Sequence, residues 1–172
     1  MTTPQLILMI GAYSVALVAV SCFTRATARR VVGALAGGAA AGLVGLGVIS
    51  LGEAQGWWRV PLPWTPYFVA LGYLGLAGSL SPTYLITWRV ARRFGWRGLG
   101  VCLVAAAFIG PPRDYLIAAT YPEWIVFAPG VAPVLAVAAT YVSWVALGHV
   151  VMRLVAGPAR EDRLGQWCRD SP

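Results

Sequence analysis

The run Leu99-Gly-Val-Cys-Leu-Val-Ala-Ala-Ala-Phe-Ile109, followed by Gly110-Pro111-Pro112-Arg113-Asp114-Tyr115, decides how this chain folds. As a helix, the apolar part alone covers only about 17 Å of a hydrocarbon core roughly 30 Å thick. It can gain length backwards to Phe94, with arginines snorkelling to the interface. It can also gain length forwards to Tyr121, across the two prolines. Proline suits the first turn of a helix and disrupts its interior, because it has no N–H to donate. The expectation is therefore a break at 110–112 and a new short interfacial helix from Pro112 to Tyr121, with Pro122 starting a turn. Asp114 would sit in its first turn, where free N–H groups and the helix dipole favour an acid. A continuous helix would instead carry Arg113 and Asp114 into the membrane, at about 2.5–3.5 kcal/mol for each unpaired charge near its centre. Mutual pairing of the two would lower that cost, so a kinked continuous helix is the alternative.

The rest of the chain has the same character. Of its 172 residues 59% are hydrophobic and 11% charged. Soluble domains average about 25% charged residues, so this chain cannot cover a water-facing surface. The sequence predicts an all-α, polytopic transmembrane helix bundle with spans at about 6–23, 31–51, 67–88, 96–110 and 133–154, and a short tail over 156–172. The first apolar run has no positive residue before it, unlike a signal peptide, and is read as a retained span.

Two spans carry further signals. Val31 to Leu51 is crowded with glycine; Gly33 with Gly37, and Gly38 with Gly42, lie four apart and share a helix face. Such faces allow close backbone approach, here against the chain's own helices or, alternatively, against a second copy or another membrane protein. In the third span, Ser81-Pro82 is expected to kink the helix near its end. Between these spans, Glu53 to Pro66 reads as a loop rich in proline, whose Trp57, Trp58 and Trp64 suit a headgroup belt.

The formal charge of +7 comes from arginine alone, since the chain has no lysine. Arg25, Arg29, Arg30, Arg89, Arg92, Arg93, Arg97, Arg153, Arg160, Arg163 and Arg169 fall on one side of a five-span arrangement, and only Arg59 and Arg113 on the other. The positive-inside rule puts the first group in the cytoplasm, the N-terminus outside and the C-terminus inside. Together with the Ala-, Gly- and Val-rich composition, this points to a multi-pass protein of a bacterial inner membrane. The arginines flank apolar spans and line no soluble face, so nucleic acid is excluded as a partner and membrane lipids take its place.

The outer side gathers the residues that could carry chemistry. Asp114 and Glu123 are the candidate acid/base pair. Arg59, Arg113, Glu53, Trp57, Trp58 and Trp124 are candidate binding residues around the same outer pocket. The structural alternative is that Arg59 and Arg113 simply neutralise the acids. His149 is the only histidine and reads as interfacial. Cys22, Cys102 and Cys168 fit no metal or redox spacing. No cofactor or metal is expected. Three functions remain: a non-catalytic accessory or assembly protein; an enzyme acting on a lipid or isoprenoid-like substrate through Asp114 and Glu123; and, last, a small transporter. An enzyme would need the two acids converging on one cavity, whereas an accessory protein would leave them splayed, paired with arginine or facing solvent.

Overall fold

The computed structural model describes residues 3–61 and 65–158; Trp64 and the tail with Cys168 and its arginines lie outside these. The order of elements is α1 (Thr3–Thr24), α2 (Ala28–Ala54), β1 (Trp58–Arg59), α3 (Pro66–Thr120), β2 (Val126–Phe127) and α4 (Val131–Ala156). All four helices are long and apolar enough to cross a membrane. Their outer surface is correspondingly apolar: Leu8 is 75% exposed, Phe108 76% and Leu154 79%. Side chains of this kind are normally buried in a soluble protein.

At 55 residues, α3 would be about 80 Å long if straight, far more than a bilayer needs. It is not straight. Gly95 has φ 64° and ψ −144° and is the one non-helical residue inside the element. That conformation is essentially closed to residues with a Cβ. Past Gly95 the chain turns back. A Cβ on Gly98 would lie 2.9 Å from Val90 Cγ1, and Phe68 and Ile117 line one cavity despite their separation in sequence. The two arms, 66–94 and 96–120, form a helical hairpin. The sequence anticipated two segments here joined by an arginine loop. The helix instead continues through Arg89 to Phe94 and reverses at a single glycine.

The expected break at 110–112 is not found, nor is a separate interfacial helix from Pro112 to Tyr121. The second arm runs on through Pro111 and Pro112 to Thr120. Proline's φ is compatible with a helix, so its cost there is the missing donors and the ring's crowding of the preceding turn. Two contacts offset that cost. Gly110 lets the Tyr141 ring of α4 lie directly against the arm's backbone, and the charges at Arg113 and Asp114 are paired. The first arm likewise keeps helical dihedrals through Pro82.

α2 lies against both α3 and α4, while α1 packs on α3. The glycines of α2 explain the closeness. A Cβ on Gly33 would meet Met152 and Ala156, and one on Gly37 the backbone of Gly148, so that pair faces α4. Gly38 meets Ala77 and Ser81, and Gly42 meets Tyr73, so the second pair faces α3. All four are buried within the chain. Tyr84, Leu85, Trp88 and Met152 form the centre of the core. The Tyr84 hydroxyl donates to the Trp144 carbonyl at 3.1 Å.

The two ends of the bundle are closed differently. At the arginine-rich end, Arg30 is 2% exposed. Its guanidinium lies over the Trp88 ring and donates to the carbonyls of Gly157 and Pro158 at 2.8 and 2.7 Å. One of the arginines counted for topology is thus also a clamp on the end of α4, where a cation meets carbonyls the helix leaves free. At the other end, β1 and β2 pair antiparallel, Trp58 opposite Phe127 and Arg59 opposite Val126. The pairing joins two loops that the sequence alone leaves separate.

Candidate functional site

Beneath the β1–β2 cap lies a cavity of about 310 Å³. Every helix contributes to its wall: Met9 and Tyr13 from α1, Ile49 from α2, both arms of α3, and Tyr141 and Trp144 from α4. The wall is mostly apolar and aromatic. Among the described residues, its only charged side chains are Arg113 and Asp114.

These two stand on adjacent positions of the second arm, three and four residues past Gly110. Arg113 donates to the Tyr141 hydroxyl. That hydroxyl donates in turn to Asp114 Oδ1 at 2.7 Å. Arg113 Nη1 lies 3.5 Å from the same carboxylate oxygen, closing the triangle as an ion pair. Tyr141 is held by its packing on Gly110 and by an edge contact with Trp144, ring centroids 5.4 Å apart. The Arg113 side chain is 47% exposed and that of Asp114 26%. A charge partly withdrawn from water is tolerated when paired and hydrogen-bonded, and the tyrosine supplies both a donor and an acceptor for this pair. Each shared oxygen leaves capacity elsewhere. Among the described residues, Asp114 Oδ2 and the Nε and Nη2 groups of Arg113 have no partner.

The structure divides the sequence candidates. Arg113, Asp114 and Trp124 come together at the cavity. Glu123 is exposed on the turn after α3 and does not line it. Glu53 is turned into the cap, where its Oε1 accepts the Val60 N–H at 2.8 Å. Arg59 is exposed on β1. Trp57 and Trp58 also lie outside the cavity wall. Trp58 is 6% exposed, donates from Nε1 to the Ile49 carbonyl at 3.1 Å and packs edge-on against Phe127. It fits against Gly52, which has no side chain to stand in its way. These contacts make Trp58 a fastener of the cap to α2. On the other side of the cap, Phe127 stacks on Tyr115 with centroids 4.4 Å apart.

Tyr141 is the site residue that sequence reasoning missed. Its only sequence signal is a phenol near the middle of a span rich in Ala, Val and Leu. Its partners lie 27 and 28 residues away, and only the packing of α4 on the second arm brings them into reach. The cavity wall also contains the indoles of Trp124 and Trp144, whose buried N–H groups have no acceptor among the described residues. Among those residues no three His, Cys, Asp or Glu side chains cluster as a metal site would require. No protein-family model matches the chain, and neither a curated protein nor a solved structure matches it significantly.

Proposed function

We propose that this is a five-span protein of the bacterial inner membrane, with its N-terminus outside, acting as a non-catalytic accessory or assembly component. The five spans are α1, α2, the two arms of α3, and α4. The distribution of arginine supports the orientation. Arg25, Arg89, Arg92 and Arg93 border one cleft and Arg30 and Arg153 another at the same end, whereas Arg59 and Arg113 lie toward the cap. A cytoplasmic arginine-rich end follows from the positive-inside rule.

The observation that carries the functional reading is the separation of the two acids. Asp114 is committed to Arg113 and Tyr141 inside the cavity, and Glu123 faces outward beyond it. A general acid and base must both reach the reacting group, and here one cavity holds one carboxylate. The second reading, an enzyme acting on a lipid, keeps Asp114 as its sole acid/base and is favoured only by the apolar cavity around that residue.

Purification of the full chain in mild detergent, followed by mass spectrometry, separates the two. The accessory reading expects a membrane protein that co-purifies in fixed ratio and survives Asp114→Asn. Recovery of the chain without any protein partner, together with a lipid product lost on Asp114→Asn, would replace it with the enzyme.

A further inference from the structure

The polar corner of the cavity is suited to a particular kind of ligand. From Arg113, Asp114 and Tyr141, together with the apolar wall around them, we infer that the cavity binds an uncharged amphiphile: an apolar tail bearing a head, such as an alcohol or quinol, that both donates and accepts a hydrogen bond. The inference rests on the reading of the chain as a membrane protein, since that is what gives such a molecule access.

The argument begins with charge. Arg113 and Asp114 neutralise each other, and Tyr141 bridges them. A phosphate or carboxylate head placed here would meet one guanidinium whose charge is already compensated, with a carboxylate 3.5 Å from it. Where a head turns from the half-exposed guanidinium toward the apolar wall, an added net charge is costly without its own counter-charge. A neutral head carries no such penalty. A hydroxyl can accept from an unpartnered N–H of Arg113 and donate to Asp114 Oδ2, using capacity the triangle leaves open. Each of those bonds has one charged partner and is stronger than a bond between neutral groups.

The remaining wall fits the tail. Leu6, Met9, Phe68, Val69, Leu76 and Ile117 surround the space, and about 310 Å³ is at the small end of the range for ligand pockets. The aromatic side chains add flat surface against which an unsaturated or branched tail packs. Near the cap, Trp58 fastens β1 to α2 and Phe127 stacks on Tyr115 of the second arm, so two of the elements that line the cavity are held together there.

Farnesol serves as the probe, with farnesyl phosphate and the parent hydrocarbon farnesane for comparison. The full chain in nanodiscs is titrated and occupancy is read by native mass spectrometry. Farnesol is expected to saturate at one molecule per chain, with the other two at least about tenfold weaker, the measure of one charge-assisted hydrogen bond. Ile117→Trp, which fills the cavity from one helical turn beyond the polar corner, should abolish binding while the melting temperature holds. Asp114→Asn should weaken farnesol about tenfold and leave farnesane unchanged. Tighter binding of farnesyl phosphate than of farnesol would overturn the inference, as would farnesol binding that Ile117→Trp leaves intact. Carbonate extraction of native membranes keeps the two claims apart. A chain released by alkaline carbonate fails as a membrane protein, whereas a chain that is retained but binds no farnesol fails only here.

Discussion

Gly95 and the Pro111–Pro112 pair lie in one helical element, and they behave in opposite ways. Gly95 reverses the chain, whereas the prolines leave the helix running. Proline is the stronger helix breaker by intrinsic preference, by about 2 kcal/mol over glycine. The difference between the two places is tertiary. At Gly95 the two arms return against each other through Val90 and Gly98, and the required dihedrals lie where only glycine is comfortable. At Pro111 and Pro112 the helical dihedrals suit the proline ring, and the arm is held by Tyr141 on one side of it. Packing and paired charge on the continuous helix outweigh two absent donors. A helix therefore ends where its backbone is asked for a conformation outside the helical well, and donors alone do not decide it.

That comparison can be broken most severely at the turn itself. Gly95→Val should destabilise the protein by about 3 kcal/mol, since a β-branched residue is held in a region nearly closed to it. The check is thermal melting in detergent alongside Gly100→Ala, a position with open space around it. Wild-type melting of the valine variant would mean that the reversal does not depend on that dihedral.

A smaller loss is expected where the second arm is held. Tyr141→Phe removes a hydroxyl that accepts from Arg113 and donates to Asp114 but leaves the ring on Gly110. A loss of about 1–2 kcal/mol is expected, because both partners are charged and remain beside each other. The same melting series reads it. An unchanged melting temperature would show that the tyrosine does not brace the pair.

The smallest effect sharpens the contrast. Replacing Pro111 and Pro112 together with alanine restores two helical donors in a segment that is already helical. Stability should stay within about 0.5 kcal/mol of wild type or rise, as compatible proline-to-alanine changes trade helix propensity against chain entropy. A clear fall would indicate that the prolines shape a turn after all.

Much of this architecture was legible from residue types alone. Apolar runs marked out the helices that are long and apolar enough to cross a membrane, and the two segments that became the arms of α3. The paired glycines of α2 announced close packing, and the structure assigns one pair to α4 and the other to α3. The turn glycine was not legible, because it is one of 20 in the chain and nothing local marks its dihedrals. The continuous second arm is the costlier reading of the sequence, because two prolines remove helical donors and nothing local shows the Tyr141 partner on α4. The outer acids were grouped by side of the membrane, which says nothing of depth. The sequence therefore groups Asp114 with Glu123, while the fold turns one into a cavity and leaves the other exposed.

The five-span arrangement with its hairpin at Gly95 is tested most directly by cysteine accessibility. With Cys22, Cys102 and Cys168 replaced, single cysteines are placed at positions 25, 59, 97 and 160, and cells with a permeabilised outer membrane are treated with a membrane-impermeant thiol reagent. The arrangement proposed here predicts labelling at 59 alone, because it assigns positions 25, 97 and 160 to the cytoplasmic side. Labelling at 97 would contradict the return of the second arm across the membrane, and labelling at 160 without 59 would invert the orientation.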